Sequence, residues 1–154
     1  MPEDLRTIAN ELTEEHIFAW IEQQIELFHQ QARLLVDDYW LRLAQGQKQH
    51  SKEERCHIGV RIRRREDCQS FSIEWFKIKK IHKDMQKKVV AIHIRKGRGY
   101  RYPLDRMLNS EPEWAADLIT KLEVQFAVIR KKIDLLGKIR DGVRGYAKLG
   151  DIEN

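Results

Sequence analysis

The chain has little cysteine: only Cys56 and Cys68 in 154 residues. Two thiols suit a reducing compartment and read as small buried or half-buried free thiols ahead of a disulfide or metal pair. No apolar run approaches the about 20 residues that span a bilayer, so no membrane partner is expected. Met1 to Asn10 is acidic and polar, unlike a secretion signal, so a cytoplasmic location is expected. The histidines (His16, His29, His50, His57, His82, His93) are scattered without metal-ligand spacing. His-Glu-x-x-His, Cys-x-x-Cys and phosphate-loop patterns are missing. The expectation is therefore no metal, no cofactor and no enzymatic activity. Two fragments come nearest to chemistry. Asp67 with Glu74-Trp75-Phe76-Lys77 is like the acid-and-lysine strands of metal-dependent nucleases, but the Glu-to-Lys spacing is wrong and a second, helical acidic ligand is not obvious. Gly97-Arg98-Gly99 is only the first part of a dinucleotide fingerprint, and it sits in a basic turn rather than between strand and helix.

What is present is charge, unevenly spread. Charged residues make up 34% and hydrophobic ones 42%, enough for a thin core that a partner chain would strengthen. Met1 to Glu54 holds 5 Lys+Arg against 11 Asp+Glu, Arg55 to Arg106 holds 16 against 5, and Met107 to Asn154 holds 8 against 8. The overall charge of +5 thus hides a middle segment at +11. A localised basic field of this kind attracts polyanions, and DNA and RNA are the commonest inside cells.

Hydrophobic periodicity divides the chain into α-β-β-β-α, a single α+β domain over residues 1–154 without repeats or low-complexity tracts. Thr13 reads as an N-cap, and Ile17, Ile21, Phe28, Ala32, Leu35, Tyr39 and Leu43 then recur at helical spacing, predicting an amphipathic helix over 13–45. Three short strands cannot cover so long a stripe, so the helix should pair with another, from its own chain or a second copy. Cys56, Ile58, Val60 and Ile62 alternate with polar residues, the mark of a half-buried strand. Gln69 to Lys79 reads as a second strand, Lys80 to Gln86 as a basic connection and Lys87 to Arg95 as a third strand. Connections this short imply an antiparallel meander within 54–102. Ser110 and Glu113 have capping-box spacing ahead of a helix over 110–139, and Gly137, Gly142 and Gly145 suggest that 140–154 is a flexible or short helical tail.

The candidate binding surface is the basic middle. Arg61, Arg63 and Arg65 lie at period two and should project from the solvent face of the first strand, with Arg64 able to reach either side. Lys77, Lys79 and Lys80 close the second strand, and Arg95, Lys96, Arg98 and Arg101 surround the glycine turn. Arg and Lys neutralise phosphates and release condensed counterions, and Arg also makes bidentate contacts to phosphate or guanine. Tyr100 and Tyr102 could stack on bases of a single strand. Edge strands also carry cations simply to block aggregation, but three arginines and a basic glycine turn exceed that need. Trp20, Trp40, Trp75 and Trp114 read as packing anchors.

Three blocks carry a family resemblance: Phe71-Ser72-Ile73-Glu74-Trp75; His93 through Arg95-Lys96-Gly97-Arg98-Gly99-Tyr100-Arg101-Tyr102-Pro103; and Trp114 through Glu123 with Phe126, Ile129 and Arg130. Together they resemble the MobI-type proteins of integrative conjugative elements and related plasmids, over about residues 13 to 140. The resemblance implies an auxiliary mobilisation factor that acts at an origin of transfer and helps the relaxase, with origin DNA and transfer proteins as partners; the two long helical stripes add the expectation of a homodimer. The residues by themselves also allow an RNA-binding or ribosome-associated factor. A protein-interaction module of antitoxin, anti-defence or secretion-chaperone type is a further reading, in which the basic sheet meets an acidic protein.

Overall fold

The computed structural model describes residues 12–150; the acidic segment Met1 to Asn10 and the last four residues lie outside it. The order is helix α1 (Glu14–Gln49), a 3-10 turn (Lys52–Glu54), strands β1 (Ile58–Arg64), β2 (Phe71–Lys83) and β3 (Gln86–His93), a short helix α2 (Leu104–Met107) and helix α3 (Glu113–Leu149). This is the α+β arrangement α-β-β-β-α, with one antiparallel sheet in the order β1-β2-β3. Among the described residues no helix is long and apolar enough to cross a membrane.

Thr13 caps α1 as its sequence suggests, and the reciprocal partner of the box is His16, whose backbone N–H donates to the Thr13 hydroxyl at 3.3 Å. The second helix starts differently. Pro112 is its N-cap and no side chain caps it, so the Ser110–Glu113 box does not form. Glu111 instead accepts the His57 backbone N–H at 2.9 Å, tying the entry of α3 to the start of β1. α3 also runs through Gly137, Gly142 and Gly145 to Leu149, past the expected end near residue 139. Its last turns run alongside the start of α1, where Ile139, Val143 and Tyr146 line an open groove with Leu12 and Ile17.

The helical partner of α1 is thus α3 of the same chain, antiparallel to it: Gly46 near the end of α1 abuts Trp114 at the start of α3. One face of the sheet packs against the pair. Ile58, Val60, Phe71, Ile73 and Trp75 are buried beneath Ile21, Ile25, Ala32, Tyr39 and Leu43 of α1 and Ile119, Phe126 and Ile129 of α3. Trp75, fully buried, meets the Tyr39 ring at 5.2 Å and the Phe126 ring at 5.8 Å, so one indole joins α1, β2 and α3. α1 also covers the outer edge of β1. The Tyr39 hydroxyl donates to the Ile58 carbonyl at 2.6 Å and Trp40 Nε1 to the Val60 carbonyl at 3.1 Å. An edge strand left open would offer those carbonyls to another chain.

Candidate nucleic-acid interface

The register decides where each cation points. Val60 pairs with Trp75 and Ile62 with Ile73, so these face the helices, while Arg61 and Arg63 face away, opposite Glu74 and Ser72. Side chains alternate along a strand, which puts Lys80 on this outer face and Lys77 and Lys79 on the opposite one. The ten candidate cations therefore do not share one surface. Arg61, Arg63 and Lys80 do. Lys77 and Lys79 border a groove of about 660 Å³ with Cys56, His57 and Glu111. Arg65 is exposed in the β1–β2 loop, and Arg95, Arg98 and Arg101 are exposed on the segment after β3. Lys96 is committed to its own turn, donating to the Gly99 carbonyl while Gly97 takes a positive φ of 90°. Arg64 ends on the helix side, 3.1 Å from Glu26 of α1.

The outer face is partly neutralised. Arg61 lies 3.3 Å and Arg63 3.9 Å from the same Glu74 carboxylate, so the trio retains one net positive charge. Arg61 also sits over the Phe76 ring, 5.3 Å from its centroid. Glu74, an acid of the nuclease-like fragment, is thus held by two arginines and the Ser72 hydroxyl.

The larger concentration of charge is a feature that the sequence reading treats as a connection. β2 does not stop at Lys79. It continues to Lys83, turns in two residues, and returns as β3 from Gln86, paired Lys83 to Gln86 through Phe76 to His93. β1 pairs only as far as Lys77, so residues 78–83 and their partners extend beyond it. At about 3.3 Å per residue these six rungs form a two-stranded arm of roughly 20 Å. Every side chain from Ile81 to Val89 is exposed. Phe76 to His93 holds six lysines and one acidic residue, Asp84. Lys80 and Lys87 project from the outer face, Lys79, Lys83 and Lys88 from the other. Sequence reasoning missed Lys83, Lys87 and Lys88 because the turn is Asp84-Met85, which lacks the glycine or asparagine that normally signals a two-residue hairpin.

A buried polar junction anchors the base of this arm. β3 leaves β2 after His93, with the Ile94 N–H still donating to the Trp75 carbonyl, which leaves the β2 edge at residues 71–74 without a strand partner. Arg130 of α3 fills the gap: its guanidinium donates to the Ile73 carbonyl at 3.1 Å and the Tyr100 carbonyl at 2.8 Å. Glu123, 1% exposed, accepts from Arg130 at 2.9 Å, Trp75 Nε1 at 2.9 Å and the Tyr102 backbone N–H at 2.7 Å. Among the described residues no buried side-chain N or O lacks a partner. Tyr102 is buried, with Arg130 4.8 Å over its ring, so it cannot stack on a base. Burial pushes its hydroxyl pKa up. The Tyr100 hydroxyl donates to Asp134 at 2.6 Å, which raises the tyrosine and lowers the aspartate pKa. Of the four tryptophans Trp75 is an interior anchor; Trp40 and Trp114 are tethered by indole N–H bonds, Trp114 to the Glu54 carbonyl at 2.9 Å; Trp20 stands about half exposed.

The family model described as MobI protein matches residues 28–144, which is most of the chain. The chain belongs to the MobI family. It is accordingly a mobilisation-related protein. The MobI match spans the whole sheet, the basic arm and the Glu123–Arg130 junction. Five residues of the resembling blocks, Trp75, Tyr102, Glu123, Phe126 and Arg130, meet at the junction. No curated protein and no solved structure matches the chain.

Proposed function

We propose that this protein is a DNA-binding accessory factor that acts at a conjugative origin of transfer, without catalysis of its own, and helps the relaxase begin DNA processing. One observation carries the reading: the outer sheet face with Arg61 and Arg63 runs directly into an exposed two-stranded arm with five lysines against one acid. Membership of a mobilisation family makes DNA the natural polyanion for it. Lysines supply affinity without discrimination, whereas Arg61, Arg63, Arg98 and Arg101 would supply whatever sequence preference exists. Arg65, Lys77, Lys79, Lys80, Arg95 and Lys96 contribute field rather than readout, Lys96 least because its ammonium closes a turn.

The reading includes a homodimer. Trp20, Leu27, Leu34 and Leu41 recur every seven residues on the solvent side of α1 and are all exposed. An antiparallel α1 pair sets Leu27 against Leu34 and Trp20 against Leu41, and places Asp37 and Asp38 near Gln24 and Gln23 of the other copy. A parallel pair would oppose aspartate to aspartate, which is unfavourable.

The test is competition binding with four probes: a duplex carrying the origin of transfer from the protein's own mobile element, an unrelated duplex, the single strand and a structured RNA. Preference for the origin duplex is expected. RNA outcompeting every DNA would favour the RNA-binding reading. Binding to none of them, with a stoichiometric acidic partner in its place, would favour the interaction module.

A further inference from the structure

The arm ends in an anomaly. Asp84 and Met85 have φ of 55° and 64°, the left-handed values of a type I′ turn. Glycine and asparagine occupy this region readily, whereas methionine does so at a steric penalty. The fold gains nothing from Met85 in return. Its side chain is fully exposed, at 104% of the reference. A strained, apolar and unburied residue at the end of an arm about 20 Å long is explicable if the apolar environment it needs is outside the protein.

The surroundings of Met85 identify that environment. Lys83, Lys87 and Lys88 stand within three residues of it, and the arm carries cations on both faces. A planar anionic surface such as a lipid bilayer would be met by one loaded face. A groove with a phosphate wall on each side matches a ribbon loaded on both. Between such walls the apolar environment available is the base stack. Apolar side chains including methionine are known to enter base steps, unstack them and kink the duplex. The arm is also stiffened by a continuous ladder of cross-strand pairs from Phe76 to Lys83, so the tip is delivered at a defined depth.

We propose that Met85 is a wedge: the lysine arm follows a groove of duplex DNA and its tip inserts between base pairs, bending and locally opening the helix. The inference rests on the DNA-binding reading above and adds the mode of engagement. A kink beside the nick site would expose the strand that the relaxase must cut.

The experiment uses the full chain with a short duplex carrying donor and acceptor dyes at its ends, and a second duplex with 2-aminopurine as an unstacking reporter. The wild type should raise energy transfer, consistent with a kink of roughly 20–90°, and should raise 2-aminopurine fluorescence. Met85→Gly and Met85→Asn suit the positive φ better, so they should fold at least as stably. Their affinity should stay within about threefold, because phosphate contacts dominate it, while both the bend and the unstacking signal are lost. If Met85→Gly bends and opens DNA as the wild type does, or the wild type binds DNA and leaves it straight, the wedge is wrong and DNA binding stands. If the wild type binds no duplex, both fail. Insertion into anionic vesicles with no DNA distortion would overturn the wedge in favour of a membrane role.

Discussion

Replacing Glu123 by alanine should destabilise the protein more than almost any other single change. The carboxylate is buried, and it accepts from Arg130, Trp75 Nε1 and the Tyr102 N–H. Removing it leaves the 9%-exposed Arg130 side chain without its counter-ion, and breaking such a buried pair costs about 3–5 kcal/mol. Two orphaned N–H groups each cost about 1–3 kcal/mol, but the losses share one site and do not add. The expected loss is about 4 kcal/mol, a large part of the roughly 5–15 kcal/mol that holds a domain. At this chain length that corresponds to about 8–16 °C in Tm. Urea unfolding followed by tryptophan fluorescence reads it directly, since Trp75 is one of the severed partners. The double variant Glu123→Leu with Arg130→Met should be milder than either single change, because neither charge is then left alone. A single-variant loss below about 1 kcal/mol, or no coupling in the cycle, would refute the view that this pair anchors the arm.

Three further outcomes follow from local geometry. Gly46→Ala should destabilise although alanine favours helix, because the new Cβ would lie 2.6 Å from Trp114 Cε3, whereas Gly142→Ala, with open space, should stabilise by about 1 kcal/mol; thermal melts separate the two signs. Cys68 should react promptly with a thiol reagent at neutral pH, while Cys56, buried and with its pKa pushed up to about 11 by that burial, should stay protected until the protein unfolds, as mass spectrometry would show. Burial, with Arg64 and Arg33 nearby, lowers the His29 pKa. Its contribution is therefore complete above its ordinary value near 6.5 and is lost as pH falls through the depressed folded value. His29→Gln should flatten that acid-side loss in melts taken across the range.

Much of this fold is written in periodicity. The stripes of α1 and α3 and the alternation of β1 come straight from apolar spacing, because burial on one face leaves no other pattern. The length of β2 does not. Lys79 to Lys83 stands clear of the core, so nothing imposes an apolar alternation there, and Asp84-Met85 carries no conventional turn signature. The extension of α3 through three glycines was equally hidden, because glycine is a poor helix former and reads locally as an end. The candidate site was half legible. Composition locates the charge, but single-residue parity separates Lys77 and Lys79 from Lys80. The Glu123–Arg130 pair looks like a surface ion pair on a helix. The signal against that reading is position: Glu123 falls inside the apolar stripe between Ile119 and Phe126.

The most direct test is the salt dependence of duplex affinity, measured by fluorescence anisotropy for the wild type and for the fourfold Lys80, Lys83, Lys87 and Lys88 to alanine variant. Each lost phosphate contact should lower the log-log slope by about 0.9, so the variant should bind far more weakly with a slope shallower by up to roughly 3.6. Alanine at Lys121 and Lys131 on α3 should change neither quantity. An unchanged slope in the arm variant, or an equal loss in the α3 control, would contradict an interface centred on the arm.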